Sequence, residues 1–123
     1  MIGSDIAPKV ILNKQTGEFL FEGVSMSEDI RIVYMPIADW LQKYSLNPNP
    51  KTVVKFKLIY FNTTSSNMFL NILHQFNEMY KKGHNVIIEW YHLEGDDGIE
   101  DAGIAYSSRF TVPFKKIMVS SFE

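Results

Sequence analysis

Residues 51–83 read KTVVKFKLIYFNTTSSNMFLNILHQFNEMYKKG, and the strand-to-helix passage inside them decides the fold. In the first part Val54, Phe56, Leu58 and Tyr60 share one side of a period-two alternation. Lys55 and Lys57 share the other side with Ile59 and Phe61. Such a strand is covered on one face throughout, and its apolar end predicts burial on both faces there, as for a central strand. The period then changes. Met68, Phe69, Ile72, Leu73, Phe76, Met79 and Tyr80 recur at helical spacing, and Lys81-Lys82-Gly83 closes the helix with C-terminal charge and a glycine. Between the two stand Asn62-Thr63-Thr64-Ser65-Ser66-Asn67.

Working towards the N-terminus, Asn47-Pro48-Asn49-Pro50 is the clearest breaker in the chain. Before it, Ile30, Val33, Ile37, Trp40, Leu41 and Tyr44 form one helical stripe. Pro36 interrupts that stripe and predicts a second helical segment or a kink, because an interior proline costs about 3 kcal/mol. Ser25-Met26-Ser27-Glu28 has the residue types that start a helix. Val10 and Leu12, the turn Lys14-Gln15-Thr16-Gly17 and the run Glu18-Phe19-Leu20-Phe21-Glu22 predict an opening hairpin that Gly23 ends.

Towards the C-terminus, His84 to Leu93 alternates as a strand, with Val86, Ile88 and Trp90 on one face and Ile87, Tyr91 and Leu93 on the other. An acidic loop follows at Glu94-Gly95-Asp96-Asp97-Gly98, then a weaker helix from about Ile99 to Tyr106. A last strand covers about Phe114 to Val119. A hairpin followed by alternating helices and strands predicts an α/β fold, with helices packed on a mixed sheet. No repeat or low-complexity tract divides residues 1–123, so they read as one domain.

Composition excludes several kinds of chemistry. The 123 residues carry 12 basic and 14 acidic side chains, a formal charge of −2, which argues against broad electrostatic binding of nucleic acid. There is no cysteine, which removes disulfides, thiol nucleophiles and Cys-based zinc sites. Met1-Ile2-Gly3-Ser4-Asp5 lacks the basic and apolar regions of a signal peptide, and no apolar run approaches membrane length. A small soluble cytoplasmic domain without membrane insertion is the expectation.

No constellation for catalysis or cofactor binding stands out. His74 lies mid-helix beside the apolar stripe, while His84 and His92 bracket a strand. No two have the i, i+4 spacing of a paired ligand site, so each reads as a surface or edge residue and no metal is expected. The acids Glu94, Asp96, Asp97, Glu100 and Asp101 do not follow the alternation of a calcium loop; a solvated loop and helix start explain them better. Glu89, the one acid in an apolar run, is expected on an open sheet face. There is no nucleophile elbow, and none of the 7 glycines forms a phosphate-cradling motif. These residues point to no particular reaction and to no cofactor; that the chain is not an enzyme is what the family resemblance below implies. The 9 Phe, 6 Tyr and 2 Trp are first a matter of packing, with any surplus available as an apolar partner surface.

The hydroxyl run remains. Asn, Thr and Ser ahead of a helix are ordinary caps, worth about 1 kcal/mol each. Yet consecutive hydroxyls from Thr63 to Ser66 exceed what one cap needs. A phosphate placed there would meet unpaired N–H groups and the positive end of the helix dipole, and would bring a charge of about −1.5 to −2 to the surface.

These residues resemble the SiaC-type biofilm-regulation phosphoproteins, relatives in fold of the anti-sigma-factor antagonists (SpoIIAA-like, STAS-like). Leu58-Ile59-Tyr60-Phe61-Asn62-Thr63 is the most specific match. Gly17-Glu18-Phe19-Leu20-Phe21-Glu22-Gly23 with Ser25 and Glu28 is similar to the family's hairpin and the segment after it, and Pro36-Ile37-Ala38-Asp39-Trp40-Leu41 resembles a second motif. Trp90-Tyr91-His92 and Val112-Pro113-Phe114 agree more loosely. Ser27 stands where the family has proline, Thr64 where it has serine and Ser66 where it has an apolar residue. The resemblance implies a SpoIIAA-like fold and a partner-switching role in cyclic-di-GMP signalling. A serine/threonine kinase of the anti-sigma-factor type would modify the protein, a PP2C-type phosphatase would restore it, and the unmodified form would bind and activate a diguanylate cyclase. Thr63 aligns with the family's acceptor and Thr64 is the second choice. Asn62, Ser65, Ser66 and Asn67 are the expected phosphate or partner contacts, with Asn71, Gln75 and Glu78 as weaker docking candidates. The alternative is a small-molecule-binding or structural interaction domain on the same scaffold, in which the hydroxyls only cap a helix.

Overall fold

The computed structural model describes residues 7–27 and 29–122, so the readings made on Met1 to Asp5 and on Glu28 lie outside the described residues. Strands and helices alternate after a hairpin: β1 (Lys9–Asn13), β2 (Glu18–Ser25), α1 (Arg31–Tyr44), β3 (Thr52–Phe61), α2 (Thr63–Lys81), β4 (Val86–Leu93), α3 (Asp97–Ser107) and β5 (Phe114–Val119). The sheet runs β1-β2-β3-β4-β5. β1 is antiparallel to β2, and each later pair is parallel. Every strand–helix–strand step moves one place in the same direction. Right-handed crossovers therefore lay all three helices on one face.

That face holds the core. Phe21, Phe56 and Trp90 occupy matching register positions on β2, β3 and β4. Their rings stack in a row, with centroids 4.8 Å apart for Phe21–Phe56 and 5.4 Å for Phe56–Trp90. Phe69 of α2 stands edge-on over this row, 6.2 Å from Phe21 and 6.0 Å from Phe56. In-register aromatic neighbours on parallel strands stack because equivalent side chains point the same way. The aromatic surplus is thus largely spent inside.

The other face carries no helix among the described residues. Lys55, Glu89 and Lys115 meet there in register across three strands, a row of alternating charge. The Tyr91 hydroxyl donates to Glu89 Oε1 at 3.1 Å, and Lys57 Nζ sits 5.0 Å from the Tyr91 ring centre. Glu89 lies on the open face, as its alternation predicts. Burial, and next the charge of Glu89, push the Tyr91 phenol up from its ordinary value.

Four local expectations are corrected. Gly23 does not end β2: it takes φ +100°, and the strand continues to Ser25 across an irregularity at Gly23/Val24. There Gly23 faces Leu58 but Val24 faces Tyr60, so Ile59 is an extra residue on β3. The bulge shifts the side-chain phase, so the end of β3 is not buried on both faces. Ile59 and Tyr60 are 51% and 53% exposed, while Phe61 turns inward against Phe69, Trp90 and Tyr106. Pro36 does not split α1, which runs unbroken from Arg31 to Tyr44. The proline is exposed, and the carbonyl it leaves unbonded belongs to exposed Ile32, where water can serve it. Ser25 does not start that helix either. It ends β2, and the Arg31 N–H donates instead to Asp29 Oδ1 at 3.2 Å.

Candidate functional site

Helix α2 starts earlier than its apolar stripe suggests. Asn62 is the N-cap, extended at φ −85° and ψ 177°, and its Oδ1 accepts the Ser65 N–H at 2.9 Å. The Asn62 N–H donates to the Ser25 carbonyl at 3.1 Å, which ties the cap to the end of β2. Thr63, Thr64, Ser65 and Ser66 therefore form the first turn of the helix and not a loop before it. The N–H groups of Thr63 and Thr64 have no acceptor within the described protein, the ordinary condition of a helix start. No acidic side chain stands in this turn.

The run divides into two kinds of residue. Thr63, Thr64 and Asn67 are exposed. Ser65 is fully buried, and the Ser25 hydroxyl, also buried, donates to its Oγ at 2.7 Å. That removes Ser65 from the expected partner contacts. It faces the core, three residues from the cap, and anchors the turn from below. Asn62 spends its side-chain oxygen on the cap. Ser66 is half-buried and bound to α3: the Tyr106 hydroxyl donates to the Ser66 carbonyl at 2.9 Å, and the two hydroxyl oxygens lie 2.8 Å apart. Burial pushes the Tyr106 phenol up from its ordinary value, opposed by the Ser66 hydrogen bond and by the charge of Arg109.

Helical rotation separates the two candidate acceptors. At about 100° per residue, Thr63 lies about 60° from Ser66, on the α3 side of the exposed face. Thr64 lies about 160° from Ser66 and shares its stripe with Gln75, whose Nε2 donates to the Tyr34 hydroxyl of α1 at 3.2 Å. Of the weaker docking candidates, Asn71 is exposed, while Gln75 is half-buried and engaged by Tyr34. Glu78 is half-buried and has Lys81 Nζ 3.3 Å from its Oε2. Exposed apolar side chains border the site. Met26 follows Ser25, and Ile59 and Tyr60 precede the cap.

The remaining polar groups do not converge. His74 is exposed and His84 half-buried, but His92 is only 5% exposed, against the surface reading. Its strand position faces α3. Its Nδ1 is buried without a hydrogen-bond partner, and its Nε2 lies 3.9 Å from Glu100 Oε2. Lys116 holds that same Glu100 oxygen at 2.8 Å and keeps its carboxyl below the usual range. The acidic loop starts a helix as expected: Asp96 Oδ1 accepts the Ile99 N–H at 3.1 Å. No three histidine or carboxylate side chains come together as metal ligands among the described residues. An open groove of about 460 Å³ runs between α1 and α2, lined by Met35, Asp39, Gln42, His74 and Glu78 among others. His74 is eleven residues beyond Thr63, about 16 Å along the helix, so groove and hydroxyl turn are separate features.

Fold and site together define a regulatory domain: a one-sided α/β layer that presents hydroxyls at a rigidly held helix start. The chain belongs to the SiaC family of regulatory phosphoproteins, whose model matches residues 1–119. Membership makes it a regulatory protein and not an enzyme. A protein of Pseudomonas aeruginosa (strain UCBPP-PA14) is 20% identical over 112 residues, covering 91% of this chain and 89% of that one. Among solved structures, apo-SiaC from Pseudomonas aeruginosa superposes with a TM-score of 0.86 at 19% identity, covering 95% of each chain. The crystal structure of the diguanylate cyclase SiaD in complex with its activator SiaC, from the same organism, matches with a TM-score of 0.90 at 18% identity, covering 97% of this chain and 98% of that one. These likenesses establish the fold: a five-stranded mixed sheet with three helices. No described helix is long and apolar enough to cross a membrane.

Tyr106 and the inward-facing Ser25 are the site residues that sequence reading missed. Each lies 40 residues from its partner in α2. No local pattern reports a hydroxyl pair at that separation.

Proposed function

We propose that this protein is a cytoplasmic partner switch controlled by phosphorylation of Thr63, which binds and activates a diguanylate cyclase while unmodified. The observation that carries this reading is an exposed Thr63 at the first position of α2, beside unsatisfied N–H groups and an exposed apolar rim. A kinase of the anti-sigma-factor type transfers the γ-phosphoryl group of ATP to Thr63 Oγ, releasing ADP and the hydroxyl proton. A PP2C-type phosphatase hydrolyses the ester and restores the threonine. Family membership and the relative's complex with SiaD support this reading.

The mechanism needs no active site in this chain. An apolar rim favours contact with a partner by removing apolar surface from water. A phosphate dianion placed at its edge must be desolvated on docking and repels acidic groups opposite it. The partner then leaves. Thr64 is also exposed and serves as the second candidate.

Intact-mass spectrometry after incubation with a serine/threonine kinase of the anti-sigma-factor type tests the reading, and fragmentation assigns the residue. One added phosphoryl group on Thr63, lost again with the phosphatase, is expected. An unchanged mass with a kinase active on another substrate refutes it. In the alternative, the α1–α2 groove takes a small ligand and the hydroxyls only cap. That predicts equal partner affinity for Thr63→Glu and the parent protein.

A further inference from the structure

We propose that the hydrogen-bonded contact between Ser66 and Tyr106 is a latch that a phosphate on Thr63 opens, so that α3 reports the modification. The inference rests on the Thr63 reading above and extends it to an element that Thr63 does not touch. Proton counting supplies the first step. Tyr106 has one hydroxyl hydrogen, and it is given to the Ser66 carbonyl at 2.9 Å. The 2.8 Å contact between the two hydroxyl oxygens must then be donated by Ser66. The Ser66 hydrogen is therefore held by a neutral phenol oxygen, a weak acceptor compared with a phosphate.

Position supplies the second step. Residues three apart on a helix are surface neighbours, with Cβ atoms about 5–6 Å apart. Helical side chains also lean towards the N-terminus, so Ser66 reaches back over the turn that carries Thr63. A phosphate on Thr63 stands within reach of the Ser66 hydroxyl, and a hydrogen bond to an ionised acceptor is about twice as strong as a neutral one. Ser66 turns from Tyr106 to the phosphate. A phosphate on Thr64, about 160° away around the helix, cannot make this exchange.

The consequence falls on α3. Tyr106 is buried and packs on Trp90, 5.5 Å between ring centres, and on Phe61 at 6.5 Å. Its hydroxyl end joins α3 to α2. Once the Ser66 hydroxyl turns away, the phenol oxygen loses its donor in a shielded place while the bond from Tyr106 to the Ser66 carbonyl stays, so the attachment of α3 weakens by one of its two hydrogen bonds.

The full chain carrying phosphothreonine at 63, or at 64 in a parallel preparation, can be produced by genetic-code expansion without any kinase. Two readings follow: the second phosphate pKa by ³¹P NMR titration, and amide hydrogen exchange across α3. Ser66→Ala should raise the phosphate pKa of the 63 form by about half a unit, because it removes a donor to the dianion, and should leave the 64 form unchanged. Phosphothreonine at 63 should speed exchange in α3 about fivefold, the factor set by one ordinary hydrogen bond. Tyr106→Phe keeps the ring and covers the case in which Ser66→Ala does not fold. It loses both hydrogen bonds to Ser66, so its unmodified form should exchange in α3 at least as fast as the parent phosphorylated at 63, with no further increase on modification. A phosphate pKa indifferent to Ser66, or α3 exchange indifferent to phosphate at 63, overturns the latch. Because no kinase takes part, such a result leaves the mass test of the proposed function separate.

Discussion

Replacing Gly103 with alanine sets two opposite effects against each other inside α3. On propensity alone the change should stabilise the helix, since glycine in a helix interior costs about 1 kcal/mol relative to alanine. The surroundings oppose it. A Cβ at 103 would stand 2.4 Å from Trp90 Cδ1, 2.6 Å from Nε1 and 2.8 Å from Cγ. Carbon atoms rest about 3.5–4.0 Å apart, so ring or helix must yield by more than about 1 Å. The ring has no room: Trp90 is fully buried, lies 5.4 Å from Phe56 and 5.5 Å from Tyr106 between centres, and donates its N–H to the Ile99 carbonyl at 2.8 Å.

Overpacking of this kind costs about 1–3 kcal/mol. Loss of the indole bond with its donor left buried adds about 1–3 kcal/mol. Subtracting the propensity gain leaves a net destabilisation of about 1–5 kcal/mol. At roughly 4 °C per kcal/mol for a chain of this length, Tm should fall by about 4–20 °C. Gly98 in the same helix is the control, because its added Cβ meets only Asp96 Oδ1 at 3.7 Å, an ordinary contact. Gly98→Ala should leave Tm unchanged or raise it. Thermal unfolding followed by far-UV circular dichroism, with near-UV dichroism to monitor Trp90, decides the sign. A Gly103→Ala protein as stable as the parent would refute the close seating of α3 on Trp90.

Asn77 of α2 closes the approach to β5, its Oδ1 accepting Thr111 N–H at 3.0 Å, Thr111 Oγ1 at 3.2 Å and Val112 N–H at 2.8 Å. Asn77→Ala leaves the buried Val112 donor unpaired and should cost about 2–3 kcal/mol, read from urea unfolding at constant m. Tyr106 has a folded pKa raised by burial, so its contribution to stability is complete below about pH 10 and is lost as pH rises through the folded value. The alkaline loss of stability should therefore be shallower in Tyr106→Phe than in the parent, measured by urea unfolding from pH 8 upwards. For the proposed switch, Thr63→Glu should weaken binding to the proposed cyclase partner at least about tenfold while Thr63→Ala retains it, by isothermal titration calorimetry. Equal affinities for the two would reject Thr63 as the controlling residue.

Much of the architecture was legible because period and punctuation agree. The hairpin between Lys9 and Glu22 follows from alternation around Gly17, which takes φ +76° in the turn. The helix closed at Gly83, φ +99°, is equally plain. The misreadings share a different origin. Tyr60 continues the alternation of Val54, Phe56 and Leu58, yet a bulge at Ile59 that depends on pairing with β2 turns it outward and Phe61 inward, while Ile59 stays on the open side with Lys55 and Lys57. His92 is buried because α3 packs over β4, which nothing in its neighbours Tyr91 and Leu93 announces. Ser65 has the same chemistry as Thr63 and Thr64, and only helix rotation sends it into the core. Local residue type identified the hydroxyl turn as a unit. Tertiary contacts assigned each hydroxyl its task.

That division of tasks bears on how such a switch can work. A modifiable residue must be accessible, and its mount must hold still for the added charge to change a surface in a defined way. Thr63 meets the first condition, while the Asn62 cap, the Ser25–Ser65 bond and the Asn62 contact to β2 meet the second. A turn fixed from below cannot absorb a phosphate by folding it inward. The charge must act outward on a docking partner, or sideways through a neighbour whose hydrogen bond can be exchanged. Outward action needs only the rim formed by Met26, Ile59 and Tyr60. Sideways action needs a labile donor one turn along the helix, and Ser66 occupies that position. The two routes separate experimentally. Partner release without any change in α3 exchange belongs to the first, and altered α3 exchange in the isolated protein belongs to the second.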